Sequence, residues 1–140
     1  MMLAALALSG ALFEISPVSA HFDVNASYEA RKGAAGEVAV RFTARDPDVK
    51  INEAPAPKLK LEEGPAALVP ASAPAPKAAS GGPGKYLDLT LPVTFPVAVA
   101  AGTTKGDHAA KGTVTYFYCS KREGWCRKGT APVAFSVPVR

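Results

Sequence analysis

The stretch Phe22-Asp23-Val24-Asn25-Ala26-Ser27-Tyr28 alternates without a break, with Phe22, Val24, Ala26 and Tyr28 on one side and Asp23, Asn25 and Ser27 on the other. Successive side chains of a β-strand point to opposite faces, so a period of two predicts a half-buried strand. The pattern recurs after a Gly33 to Gly36 turn, where Val38, Val40, Phe42 and Ala44 alternate with Glu37, Ala39, Arg41 and Thr43. Shorter strands are expected at Leu59 to Leu61 and Ala66 to Val69, then at Tyr86 to Leu91, Thr94 to Ala100, Gly112 to Cys119 and Ala131 to Val139. Prolines punctuate nearly every connection, which suits edges and turns and opposes helices. Beyond the N-terminal apolar run, no stretch of about ten residues carries a helical stripe. Eight short strands at near-regular spacing predict an all-β fold, an antiparallel β-sandwich. Between Pro70 and Gly84, Ala, Ser, Pro and Gly dominate with little to bury, which predicts a mobile surface loop (70–84).

The chain has 140 residues. Its opening run, Met1 to Phe13, is apolar and is followed by Glu14, Pro17 and Val18-Ser19-Ala20, a small-x-small pattern that suits signal peptidase. Residues 1–20 are therefore expected to be an export signal, and 21–140 a single domain with one core. An apolar run of roughly 13 residues falls short of the roughly 20 that a membrane span needs, so the mature chain is expected to be soluble, without a span. The chain carries 16 Lys and Arg against 12 Asp and Glu. Loss of the leader removes only Glu14 from this balance, and the remaining excess is modest and dispersed. A nucleic-acid binder concentrates its cations on one face or helix, so no nucleic-acid partner is expected.

Both cysteines lie in Tyr116-Phe117-Tyr118-Cys119-Ser120-Lys121-Arg122-Glu123-Gly124-Trp125-Cys126-Arg127-Lys128-Gly129. Cys119 ends one expected strand and Cys126 begins the approach to the last, so the six intervening residues, containing Glu123-Gly124, are expected to form the turn of a hairpin across which the sulfurs can face each other. Opposed Cα atoms of an antiparallel pair lie roughly 4.5 to 5.5 Å apart, within the range of a disulfide. In an oxidising compartment the even cysteine count favours that bond. Two readings stand at this point. As a staple the bond closes a short loop, for which chain entropy gives only about 2.5 kcal/mol. As a redox centre it is surrounded by Lys121, Arg122, Arg127 and Lys128, cations that lower a thiol pKa, with Tyr116, Phe117, Tyr118 and Trp125 available to shield the sulfurs.

Three segments taken together, Ile51-Asn52-Glu53-Ala54-Pro55-Ala56-Pro57-Lys58-Leu59, Leu87-Asp88-Leu89-Thr90-Leu91-Pro92-Val93-Thr94-Phe95 and Thr113-Val114-Thr115-Tyr116 leading into the cysteines, resemble the N-terminal periplasmic domain of the thiol:disulfide interchange protein DsbD. The resemblance implies an immunoglobulin-like sandwich in the periplasm, with Cys119 and Cys126 as the exchanging pair. It implies electrons received from a separate thioredoxin-like or membrane electron-transfer protein and passed to disulfide-bearing clients. No cofactor enters that chemistry, and the activity, where present, is that of a thiol-disulfide oxidoreductase. The cysteine spacing and the Arg127-Lys128-Gly129 after the second cysteine depart from the best-known members. The local sequence favours Cys126 as the attacking sulfur, since Arg127 and Lys128 follow it directly. The alternative is a non-enzymatic exported interaction module of the same fold, its disulfide purely structural.

Other constellations carry less. His21 would become the mature N-terminus, where an amine and an imidazole together can chelate copper, making a copper-binding sandwich a minor alternative. The second histidine, His108, lies in an expected Gly-Asp-His-Ala turn. Two cysteines without a nearby histidine fall short of a structural zinc site, so no metal is expected there. Glu62-Glu63 and Asp46-Pro47-Asp48 read as solvated turns rather than acid-base machinery. The serines lack a nucleophile-elbow context. Asn25-Ala26-Ser27 matches a glycosylation acceptor but falls within a strand.

Overall fold

A computed structural model describes residues 21–62, 68–70 and 86–140. The expected leader, 1–20, lies outside the described residues, as do residues 71–84 of the expected loop and the first two residues of the expected strand at 66–69. Among the described residues eight strands are formed: β1 (Phe22–Ala30), β2 (Ala35–Ala44), β3 (Val49–Ile51), β4 (Lys58–Leu61), β5 (Leu68–Pro70), β6 (Val93–Val99), β7 (Gly106–Ser120) and β8 (Trp125–Val139). They make an antiparallel β-sandwich, and among the described residues there is no helix, hence none long and apolar enough to cross a membrane.

One sheet runs β1-β2-β6-β5. In the other, β7 is central: β8 lies along one side, and β3 and β4 share the other, β3 against Tyr118 to Ser120 and β4 against Gly112 to Thr115. Alternation decides which side chains meet between the sheets. Val24, Ala26 and Tyr28 of β1 pair with Phe42, Val40 and Val38 of β2, of which Val40 and Val38 in turn pair with Val93 and Phe95 of β6. From the other sheet come Val49, Ile51, Val114, Tyr116, Tyr118, Ala131, Val133, Phe135 and Val137. Phe22, Phe42, Tyr116 and Tyr118 form an edge-to-face cluster at one end of this core, with ring centroids 5.2 to 6.4 Å apart. That geometry puts the positive ring edge against the negative face of its neighbour.

Several expectations need correction. The strand expected at Tyr86 to Leu91 is reduced to a bridge between Tyr86 and Asn52 and a bond from Leu87 N–H to the Ile51 carbonyl, 2.8 Å. Asp88 then turns the chain, its carboxylate accepting from the Thr90 N–H at 3.0 Å, before Pro92, which has no N–H for a ladder. The turn expected around His108 is strand, because the chain reverses earlier, with Gly102 at φ 86°. The Gly33 to Gly36 turn ends earlier than expected, since β2 begins at Ala35. The short strands expected at 112–119 and 131–139 are each 15 residues long and pair along their whole length. Pro132 and Pro138 do not break that ladder, because among the described residues β8 pairs with β7 alone and a missing N–H on its other side costs nothing.

Candidate functional site

The β7–β8 hairpin turns through Lys121, Arg122, Glu123 and Gly124 only, since Ser120 pairs with Trp125. Gly124 takes φ 77°, the left-handed region glycine enters freely, and its N–H donates to the Ser120 carbonyl at 2.9 Å. Asp46-Pro47-Asp48, expected to be no more than a solvated turn, supplies the carboxylate that holds this one. Asp48 Oδ2 accepts from Ser120 Oγ at 2.6 Å and from the Arg122 N–H at 2.8 Å, and Ser120 Oγ accepts from the Glu123 N–H at 3.1 Å. The Ser120 hydroxyl is the main reason the Asp48 carboxyl is held below its usual range, with the Arg122 N–H and the charges of Arg122 and Lys121 adding to it. A contact reaching from residue 48 to residue 120 carries no local signal, which is why spacing alone does not find it.

Within this frame Cys119 and Cys126 are directly opposed and disulfide-bonded, their Cα atoms 4.0 Å apart, closer than the roughly 4.5 Å of an unbridged close pair. The two sulfur-bearing residues differ in access: Cys119 is buried, 7 % exposed, whereas Cys126 is exposed. Asn52 lies over the buried one, its Oδ1 3.4 Å from Cys119 Sγ. Lys50 is the cross-strand partner of Cys119 on its other side, so Lys50, Cys119 and Cys126 form one row across the sheet. Phe117 and Lys128, opposed to each other, form the next row on the same face. Lys50 and Asn52 are out of reach of sequence reasoning, because only the β3–β7 register brings them to the cysteines.

The expected surroundings of the pair divide between the two faces. Tyr116 and Tyr118 point into the core, away from the sulfurs, as alternation from Cys119 requires. Trp125 is on that side too, its ring 5.6 Å from Tyr118 and 5.4 Å from the imidazole of His21, which also lies 5.5 Å from Tyr118. Arg127 Cζ lies over the Trp125 ring at 4.0 Å, and Trp125 Nε1 donates to Glu123 at 2.7 Å. Lys121 Nζ lies 5.8 Å from the centre of the Tyr86 ring, and Arg122 is 3.6 Å from Asp46 and 3.8 Å from Asp48. Of the four cations in the sequence motif, Lys128 is therefore the one on the disulfide face. His108 is remote from His21 in the pairing and sits 2.6 Å from the Thr104 carbonyl. Among the described residues no cluster of three or more His, Cys, Asp or Glu is placed to hold a metal ion. Chemically, the site offers a disulfide between an exposed and a buried cysteine, a polar amide against the buried one, Lys50 across from Cys119 and Lys128 two residues from Cys126. Compared with known proteins, the chain matches no family model, no curated protein and no solved structure.

Proposed function

We propose that this chain is a periplasmic thiol-disulfide exchange domain, an immunoglobulin-like sandwich that passes electrons from a thioredoxin-like or membrane donor to client disulfides through Cys119 and Cys126. The observation that carries the reading is the asymmetry of the pair: Cys126 is open to a partner while Cys119 is buried against Asn52. Exchange needs one sulfur that a client can reach and a second, held close, that resolves the mixed disulfide.

Asn52 Oδ1 lies 3.4 Å from Cys119 Sγ in the disulfide form, so a reduced Cys119 thiol would have an acceptor that favours its neutral form. Cys126, exposed and two residues before Lys128 on the same face of β8, is then the sulfur that ionises and attacks. Its thiolate forms a bond to one sulfur of the client disulfide, and the other client sulfur departs with the electron pair and takes up a proton. Cys119 gives up its proton to solvent and attacks Cys126 Sγ. The second client thiol is released and the Cys119–Cys126 bond closes. Two electrons have passed to the client, and a dithiol of the donor class restores the pair by the reverse sequence.

A Cys119→Ser variant lacks the resolving sulfur and is expected to accumulate mixed disulfides through Cys126, whereas Cys126→Ser is expected to trap none. Non-reducing electrophoresis of both variants after expression in the periplasm reads the result. Absence of trapped species from both variants, together with a reduction potential below about −300 mV, which marks structural bridges, would sink the exchange reading and leave the disulfide a staple.

A further inference from the structure

The accessible sulfur opens onto the outer face of the β3/β4–β7–β8 sheet, and the residues on that face follow from the register. Starting at the disulfide, the first row holds Lys50, Cys119 and Cys126, and the second Phe117 and Lys128. The third holds Lys58, Thr115 and Thr130, and the fourth Lys60, Thr113 and Pro132. Each of the four rows contains one lysine and none contains a carboxylate. All four lysines are exposed and none forms an ion pair with a described residue. Going away from the turn, a carboxylate first enters at the fifth row, where the Glu62 N–H donates to the Lys111 carbonyl at 2.9 Å; on the turn side Asp46 and Asp48 adjoin the first row, engaged by Arg122 and Ser120.

Same-face residues repeat about every 6.6 to 6.8 Å along a strand, so four rows cover a strip about 20 Å long beside the sulfurs. Like charges this close repel one another, and a partner that brings carboxylates removes the repulsion and gains from each pair. A client that brings its disulfide to Cys126 along the outer face meets this strip.

We propose, resting on the exchange reading above, that the strip formed by Lys50, Lys58, Lys60 and Lys128 is the docking surface for clients, and that it selects disulfides carried on acidic protein segments. A protein is favoured over an anionic membrane because the only large apolar side chain among the described residues of this face, Phe117, is half-buried and leaves little to enter lipid. Among the described residues the exposed large hydrophobic is Leu91, in the turn before β6.

The test compares three probes reacting with the reduced protein: a Glu-rich peptide containing an internal disulfide, the same peptide with Lys in place of Glu, and hydroxyethyl disulfide as a small neutral reference. At low salt the Glu peptide is expected to react at least about tenfold faster than the Lys peptide, the lower end of electrostatic steering. At about 1 M salt, where the Debye length is about 3 Å, the two rates should converge. Lys58→Glu/Lys60→Glu, remote from the sulfurs, leaves two lysines against two glutamates on the strip and should abolish the preference. Each peptide rate is divided by that variant's own rate with hydroxyethyl disulfide, so a change in folded fraction or thiol reactivity cancels, and the salt series on the unmodified protein needs no variant at all. Reaction with hydroxyethyl disulfide but no preference between the peptides overturns the docking surface and leaves the exchange reading standing. Failure to react even with hydroxyethyl disulfide overturns the exchange reading, and the docking surface falls with it. Equal peptide rates combined with co-sedimentation on phosphatidylglycerol vesicles at physiological salt, lost in the double variant, would assign the strip to lipid instead.

Discussion

The two faces of the β7–β8 hairpin are built from alternate residues of the same two strands, yet they differ sharply in chemistry. Toward the core lie Val114, Tyr116 and Tyr118 opposite Ala131, Gly129 and Arg127, and toward the outside lie Thr113, Thr115, Phe117 and Cys119 opposite Pro132, Thr130, Lys128 and Cys126. The inner face is closed by aromatic and aliphatic contact, and the outer face is chiefly threonine, lysine and one disulfide. A one-residue displacement of register would exchange them completely, putting the cysteines in the core and the tyrosines in water. The difference teaches that stability and chemistry are assigned here by parity, so that each can be altered with little effect on the other.

The comparison is put under most strain by truncating the inner face. Tyr116 is fully buried, its ring in contact with Phe22, Phe42 and Tyr118, and it lies flat against Gly129, where an added Cβ would meet the ring at 2.6 Å. Tyr116→Ala removes this packing from both sheets and is expected to cost about 3 to 5 kcal/mol, as buried aromatic truncations do. Urea denaturation followed by Trp125 fluorescence gives the number. A cost below about 1 kcal/mol would mean that the core closes without this ring.

On the outer face the disulfide contributes most to stability. Cys119→Ala/Cys126→Ala removes a bridge closing a sequence separation of 7, for which loop entropy gives about 2.5 kcal/mol. The fold is expected to survive, because the 15-residue ladder and the Asp48 contacts still hold the turn. Circular dichroism of the double variant should show unchanged strand content with a lowered denaturation midpoint. Loss of the fold would break the comparison by making an outer-face pair as important to stability as the core.

The turn between the faces responds to acid. Its Asp48 carboxyl is held below the ordinary value, chiefly by the Ser120 hydroxyl, so the folded state favours the ionised form. A group whose folded pKa is depressed contributes stability above its unfolded value, about 3.9 for aspartate, and loses it as pH falls through the folded value. Asp48→Asn should therefore lower the denaturation midpoint at neutral pH and converge with the parent below about pH 4. Asp23 and Asp88 are depressed as well, so the parent weakens in acid for several reasons and the difference between the two proteins isolates Asp48. A difference that stays constant with pH would mean that its charge is not what holds the turn.

Alternation made much of this legible in advance. It is a local property, and in β1, β2 and the last strand it names most of the core residues without knowledge of their neighbours, although in β2 Ala39 of the outward set is buried and Ala44 of the inward set is exposed. It also set Cys119 against Cys126 across a turn. What it could not supply was register between distant strands. β3 is only three residues long and follows Asp46-Pro47-Asp48, too short to show a period, yet it delivers Lys50 and Asn52 to the cysteines. Tyr86 to Leu91 has the composition of a strand, and Asp88 overrides it by accepting from its own neighbours. Charge around the cysteines misled in another way. Proximity in sequence suggested four cations near the sulfurs, whereas Arg127 covers Trp125 and Arg122 turns to Asp46 and Asp48.

The smallest effect belongs to Thr130, next to Gly129 but one step around the pleat. Thr130 is exposed on β8, the edge of its sheet, and its side chain shares the outer face with Thr115. Thr130→Ala deletes a hydroxyl and a methyl group that solvent already surrounds, so the expected change in stability is within about 0.5 kcal/mol. Chemical denaturation beside the parent measures it, and the value should stand well below that of Tyr116→Ala on the neighbouring row. A Thr130 cost approaching the Tyr116 cost would show that the outer face is packed against something, because an exposed edge position has no other source for so large a loss. In that event the lysine strip it borders would not be open to clients, and parity alone would no longer explain how this hairpin separates its two roles.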